Sequence, residues 1–421
     1  MDKKKGSWES SGCEKGGISR SFANSAHMAK ELFSVEEKNG RPRNFALSPL
    51  SIDLVLYMLA AGLQGSTLEQ MLKFLGSESR DEILSKSQNM MDVLDTLSSN
   101  EGENDNVLCM VNGIWVDEHC PLIESSQPDE SEPSYMKQPN EPSYMDQVLI
   151  KIFKCDIKSN VKFLENAIGV VDEINSWAND ASKGLIKNLV PYGVLNKESG
   201  LFLANALYFK GMWDYKHKFS EDQTCEKHFY TLDGEKVSAS FMTSVWKYHC
   251  KSFDTFKVLK IPYQERVHGK FSMYFFLPES QYGLPNLLEE LSGHPQEDYF
   301  NLEEVKFEKL LIPKFDFSYN FDVAATLKKN RFPSMEDSKD FSKMVKIRRG
   351  VPNFATNMFQ KVVIKVDEKG TEAAAVTRSD FPRSARSKRM SFVADHPFMF
   401  MIKEENSGLI FFMGSVLNPS L

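Results

Sequence analysis

The sequence predicts a single α+β domain, and three observations carry that reading. Helical runs come mainly first, strand-like runs come mainly later, and no Pro/Gly/Ser-rich linker divides the 421 residues. Segregated helices and strands give an α+β fold, whereas a parallel α/β sheet needs them to alternate. Length alone would suggest two or three units, but large mixed folds run long. A hydrophobic fraction of 41% is ample for a sizeable core.

Residues 1–20 are polar and rich in Gly and Ser, which predicts a mobile extension ahead of a domain spanning 21–421. From Arg20 to Phe33, apolar positions (Phe22, Ala23, Ala26, Met28, Ala29, Leu32, Phe33) recur at helical spacing. Ser51–Ala61 reads as a second helix with Ser51 as its cap after Pro49, and Thr67–Phe74 as a third, led by Ser66 and ending near Gly76. Residues 81–98 give a fourth amphipathic helix. Between 121 and 145, Glu132-Pro133-Ser134-Tyr135-Met136 recurs as Glu141-Pro142-Ser143-Tyr144-Met145. Paired prolines forbid a regular element there, so this is a duplicated surface loop or a docking motif. Phe163–Ala181 reads as a helix. Strand-like runs follow at 200–209, 225–231, 256–263, 270–277, 305–317, 359–366, 391–403 and 408–416.

Net charge is −7 and the isoelectric point about 5.8, which argues against a general nucleic-acid binder. No apolar run is long enough for a membrane span, and the first residues lack the apolar core of a secretory signal. The expectation is therefore a cytoplasmic or nuclear protein. Six scattered cysteines without a Cys-x-x-Cys pair read as buried free thiols rather than disulfides. There is no Gly-x-Ser-x-Gly, Gly-x-x-x-x-Gly-Lys-Ser/Thr, His-Glu-x-x-His or Gly-x-Gly-x-x-Gly. No catalytic residues, metal ligands or cofactor are expected, and the chain does not read as an enzyme.

The most informative segment is Glu368-Lys369-Gly370-Thr371-Glu372-Ala373-Ala374-Ala375-Val376-Thr377, which follows the strand-like run Val362–Val366. At a period of two, Thr371, Ala373, Ala375, Thr377 and Ser379 share one face and carry only small side chains. Glu372, Ala374, Val376, Arg378 and Asp380 share the other. Such a strand could slide between two neighbours, although Ala and Gly have little strand tendency of their own.

This segment resembles the reactive-loop hinge of the serpins, Glu-x-Gly-Thr-Glu-Ala-Ala. Phe392-Val393-Ala394-Asp395-His396-Pro397-Phe398 resembles the C-terminal signature of that family in its plant form. Asn44–Ser51, Asn175-x-Trp177 with Gly184-Leu185-Ile186, Asn205–Gly211 with Trp213, and Gly408–Pro419 fit in the same order and spacing. The resemblance implies helices packed on three β-sheets with an exposed reactive loop at about 368–391. It further implies inhibition of serine or cysteine proteases by cleavage, acylation and insertion of the cut loop into a sheet. The alternative is a non-inhibitory member with a storage, chaperone or partner-binding role.

Residue by residue, the resemblance makes Glu368, Gly370, Thr371, Glu372, Ala373, Ala374 and Ala375 the hinge. Lys314 would pair with Glu368 and Trp213 would pack where insertion begins. Asn44, Ser48, Ser51 and Asn205 would form a polar cluster in mid-sheet, with Gln360 standing where most members have a buried histidine. Counting along the loop leaves two scissile bonds open, Arg383-Ser384 and Ser384-Ala385. An arginine bait implies a trypsin-like serine protease or an arginine-specific cysteine protease as the partner of a monomer.

Overall fold

The computed structural model describes residues 15–40, 42–98, 106–123, 145, 147–195, 199–265, 269–293, 297–327, 332–333, 341, 343–346, 355–370 and 390–421. The repeat of 132–145 lies outside them except for Met145, and so does 371–389, with the expected hinge residues Thr371 to Ala375 and the bait Arg383, Ser384 and Ala385.

The chain opens with α1 (Lys15–Lys38), β1 (Phe45–Leu47), α2 (Pro49–Gly62), α3 (Gly65–Leu75) and α4 (Arg80–Ser98). The first helix runs longer at both ends than its apolar spacing suggests. In α2 the cap is Ser48, not Ser51: its hydroxyl accepts from the Ser51 N–H at 3.3 Å, and Pro49 takes the first helical turn. That turn needs no proline N–H, so proline starts the helix instead of preceding it. Almost every residue of α2 is buried, as an all-round apolar helix must be. Ser66 lies inside α3, which ends at Gly76 in the left-handed conformation (φ 65°).

Next come β2 (Asn106–Asp117), β3 (Asp156–Val161), α5 (Ala167–Ala181, capped by Asn166) and β4 (Ser199–Gly211). Strands β5 (Cys225–Tyr230), β6 (Lys236–Met242), β7 (Lys247–Ser252), β8 (Phe256–Pro262) and β9 (Phe271–Pro278) follow, then α6 (Leu284–Gly293). The C-terminal part holds β10 (Glu303–Pro313), β11 (Phe315–Asp322), α7 (Val323–Leu327), β12 (Ala355–Val366), β13 (Met390–Val393), β14 (Phe398–Glu404) and β15 (Ile410–Val416). Two runs read as single strands are each divided beside a proline, at Pro313 and at Pro397. Proline cannot donate to a ladder, so pairing changes partner there.

One sheet has five strands in the order β11-β12-β4-β2-β3. Its centre is a parallel pair, β12 with β4, in the register Gln360 to Asn205, Val362 to Leu207 and Val363 to Tyr208. The outer neighbours β11 and β2 run antiparallel to that pair. The remaining strands form a continuous path in which β10 is shared: Glu303–Lys306 pair with β7, Ile312–Pro313 with β6, and Phe307–Leu311 run parallel to β13.

The five-stranded sheet is covered on both faces. The main core, with α2, packs one face, using Leu203, Leu207, Val362 and Ile364. A second core packs the other, where Val170, Val171 and Ile174 of α5 and Ile186, Leu189 and Val190 of the following segment cover Phe202, Ala204, Ala206 and Phe359. Lys361 of β12 crosses this cover. Its ammonium donates to the carbonyls of Lys187 (2.7 Å) and Asn188 (3.2 Å), and burial lowers its pKa.

Candidate functional site

The seam between β12 and β4 is where the expected residues meet. At its upper end β12 stops at Val366, and Asp367-Glu368-Lys369-Gly370 make a tight turn. The Asp367 N–H donates to the Gly370 carbonyl at 2.9 Å and the Gly370 N–H returns to Asp367 at 3.2 Å. Gly370 also forms an antiparallel bridge with Met212, the residue following β4. It therefore stands between the ends of both seam strands. Its φ is 127°, and a Cβ here would meet the Gly211 carbonyl at 2.2 Å and the Trp213 nitrogen at 2.7 Å. Only glycine fits so close an approach at this φ.

Trp213 locks the turn from below. Its backbone N–H donates to Lys369 O at 3.0 Å and its indole N–H to Asp367 O at 2.9 Å, while its ring stacks on Tyr263 at 4.6 Å. Glu368 is buried to 5% side-chain exposure and meets Lys314 Nζ at 3.0 Å, with the Thr224 hydroxyl donating to its other oxygen at 2.6 Å. Burial alone would raise this carboxyl. The Thr224 hydroxyl, its own backbone N–H and the Lys314 ammonium outweigh that and hold it below the usual carboxylate range.

A folded-state pKa below the ordinary value means that the contribution to stability is present at neutral pH and disappears as pH falls through the folded value. Acid titration of the melting temperature is therefore expected to show a limb below about pH 4.5 that Glu368→Gln makes shallower. An identical limb in that variant would show that the clasp does not titrate.

In mid-seam, Gln360, Asn205 and Asn112 stand in one row across β12, β4 and β2. The Gln360 amide is engaged through both its oxygen and its nitrogen. Its oxygen accepts from the Ser48 N–H at 2.7 Å and its nitrogen donates to the Ser48 carbonyl at 3.0 Å, tying β12 to the start of α2. A glutamine amide can donate and accept at once, which suits it to this two-point contact. Asn205 donates to Asn112 Oδ1 at 2.5 Å, and Asn112 to Phe153 O at 2.9 Å. Asn205 Oδ1 and Ser51 Oγ are buried and have no hydrogen-bond partner among the described residues. Asn44 stands apart from this row. Its amide binds the C-terminal segment, donating to Asn418 O at 2.7 Å and accepting from Leu417 and Asn418 N–H at 2.8 and 2.9 Å.

Of the residues singled out in the sequence, Glu368, Gly370, Lys314 and Trp213 meet at the upper end of the seam, and Ser48, Ser51, Asn205 and Gln360 at its middle. Thr224, Asn112 and Asp367 complete these contacts and were not foreseen. Asn112 and Thr224 carry no local motif, and only strand register brings them in.

A family model described as Serpin (serine protease inhibitor) matches residues 23–132 and 135–419. The chain belongs to the serpin family. Serpin-ZX of Arabidopsis thaliana is 35% identical over 404 residues, covering 94% of this chain and 96% of that one. Serpin-Z7 of Hordeum vulgare is 33% identical over 390 residues, covering 90% of each. The solved structure of Arabidopsis AtSerpin1 in its native stressed conformation superposes with a TM-score of 0.79 at 31% identity, covering 98% of this chain and all of that one. These relatives make this a plant-type serpin, and support protease inhibition as its broad function.

Proposed function

We propose that this serpin traps its target by inserting the cleaved reactive loop into the β12–β4 seam as an added strand. The observation that carries this reading is Gly370, bridged at once to Asp367 at the end of β12 and to Met212 at the end of β4. A strand continuing from Gly370 would run antiparallel to both neighbours. It would replace one parallel pair, the slightly weaker kind, by two antiparallel ladders.

Both bridges can be extended residue by residue, and they agree. Each places Thr377 between Gln360 and Asn205, which already face one another across the seam. The Thr377 hydroxyl would arrive beside Asn205 Oδ1, which has no partner among the described residues. The same register turns Thr371, Ala373 and Ala375 toward the main core, where their small volume suits close packing. Each backbone hydrogen bond gained would contribute about 0.5–1.5 kcal/mol.

Arg383 is the bait under this reading, and a trypsin-like serine protease or an arginine-specific cysteine protease is the target class, because a carboxylate in the target pocket would pair with the guanidinium. Incubation with trypsin is expected to give a covalent band near the summed masses on a denaturing gel, abolished by Arg383→Ala. A band formed instead with an elastase-like protease, and lost in Ser384→Pro, would put the scissile bond at Ser384-Ala385. Clipped product alone with a panel of arginine- and serine-preferring proteases would favour the non-inhibitory reading.

A further inference from the structure

Away from the seam, a small cavity opens between α5 and the edge strand β3. About 270 Å³ in volume, it is lined by Trp115, Asp156, Ile157, Lys158, Glu173, Ser176 and Trp177. Two indoles form its aromatic walls: Trp115 and Trp177 meet edge to face, with centroids 4.9 Å apart and planes at 80°. They pack directly against the β2 backbone at Gly113, where a Cβ would lie 2.6 Å from the Trp115 ring and 2.8 Å from that of Trp177. Trp177 is fixed further by its indole N–H, which donates to Asp156 at 2.8 Å.

The charges at the rim are unequal, with Asp156 and Glu173 against the single ammonium of Lys158. Lys158 meets Glu173 at 3.2 Å, and both side chains are largely in solvent, 60% and 44% exposed. An exposed pair of this kind contributes about 0–1 kcal/mol, so it opposes an incoming ligand weakly. An aromatic wall and an acidic rim complement a soft cation, whose charge is attracted by the half-buried Trp177 indole and by the carboxylates together. The volume falls just below the range of about 300–1,000 Å³ found for drug-sized ligands, which suits one head group and little more.

We propose that this cavity is a binding site for a small quaternary ammonium compound, held by its trimethylammonium head against Trp177 and beside the carboxylates of Asp156 and Glu173. The proposal does not depend on loop insertion, because the cavity is formed with the seam closed. Calorimetric titration of the intact protein with choline and with 3,3-dimethylbutan-1-ol, its uncharged isostere, tests it directly. Saturable choline binding is expected, at least tenfold tighter than the alcohol, and weakened several-fold by Glu173→Gln and by raised salt. Trp177→Leu should abolish it, and the comparison of the two ligands on the unaltered protein stands even if that variant folds poorly. Equal binding of the two, or no saturable binding of either, would overturn the proposal. A trimethyllysine peptide should bind no tighter than choline; a peptide more than tenfold tighter would overturn the assignment to a small molecule.

Discussion

Under the proposed mechanism, Ala375→Glu is expected to turn this serpin from a trap into a substrate, whereas Ala374→Glu should leave trapping nearly intact. The two positions are adjacent in sequence and chemically identical, so only strand register separates them. Continuing the Gly370 bridges puts residue 375 between Val362 and Leu207, both fully buried in the main core. Residue 374 falls between Val363 and Tyr208, both only partly buried on the opposite face. A carboxyl forced into the core costs several kcal/mol even if it takes up a proton. Under the proposed mechanism insertion competes with hydrolysis of the acyl-enzyme, and roughly 1.4 kcal/mol changes such a partition tenfold. The moles of inhibitor consumed per protease trapped should therefore rise tenfold or more in Ala375→Glu, and by less than threefold in Ala374→Glu. Equal losses in both variants would mean that the inserted strand does not follow this register.

Gly370→Ala is expected to destabilise the intact protein by about 1–3 kcal/mol, the usual cost of forcing a side chain into a backbone conformation that excludes it. The added carbon would lie 2.2 Å from the Gly211 carbonyl and 2.7 Å from the Met212 Cα, both backbone atoms that cannot rotate away. Relief requires Gly370 to leave one of its two bridges, which would loosen the Asp367–Gly370 turn and the Trp213 contacts on it. Thermal unfolding and hydrogen exchange at Met212 and Trp213 report this, with faster exchange expected at both amides. An unchanged melting temperature with unchanged exchange would show that the turn adjusts without cost.

How much of this was legible before the fold was known differs from residue to residue. The expected hinge lies outside the described residues beyond Gly370; its small side chains at a period of two suit a strand that must enter a close-packed sheet, and its Gly-Thr-Glu-Ala-Ala pattern is specific. Glu368 and Lys314 could be paired only through the family resemblance, since 54 residues separate them and nothing local links them. Thr224 and Asn112 could not be found at all. Each is an ordinary polar residue in its own segment and matters because a distant strand lies beside it. The expected Ser51 cap moved to Ser48 because capping depends on the φ and ψ of the capping residue. The runs 305–317 and 391–403 divided because hydrophobic content does not tell where a strand exchanges one partner for another.

The sequence by itself determined the α+β class, most of the helices and many, not all, of the residues that meet along the seam. These follow from local spacing, from the conformational limits of proline and glycine, and from a motif order carried along the chain. Only the tertiary structure decided that Gly370 bridges both Asp367 and Met212, just past β12 and β4, that Gln360 binds the Ser48 backbone, and that Asn205 Oδ1 has no partner among the described residues. Those facts depend on the register between strands some 155 residues apart, and register is set by packing against both cores together, not by anything encoded within one strand.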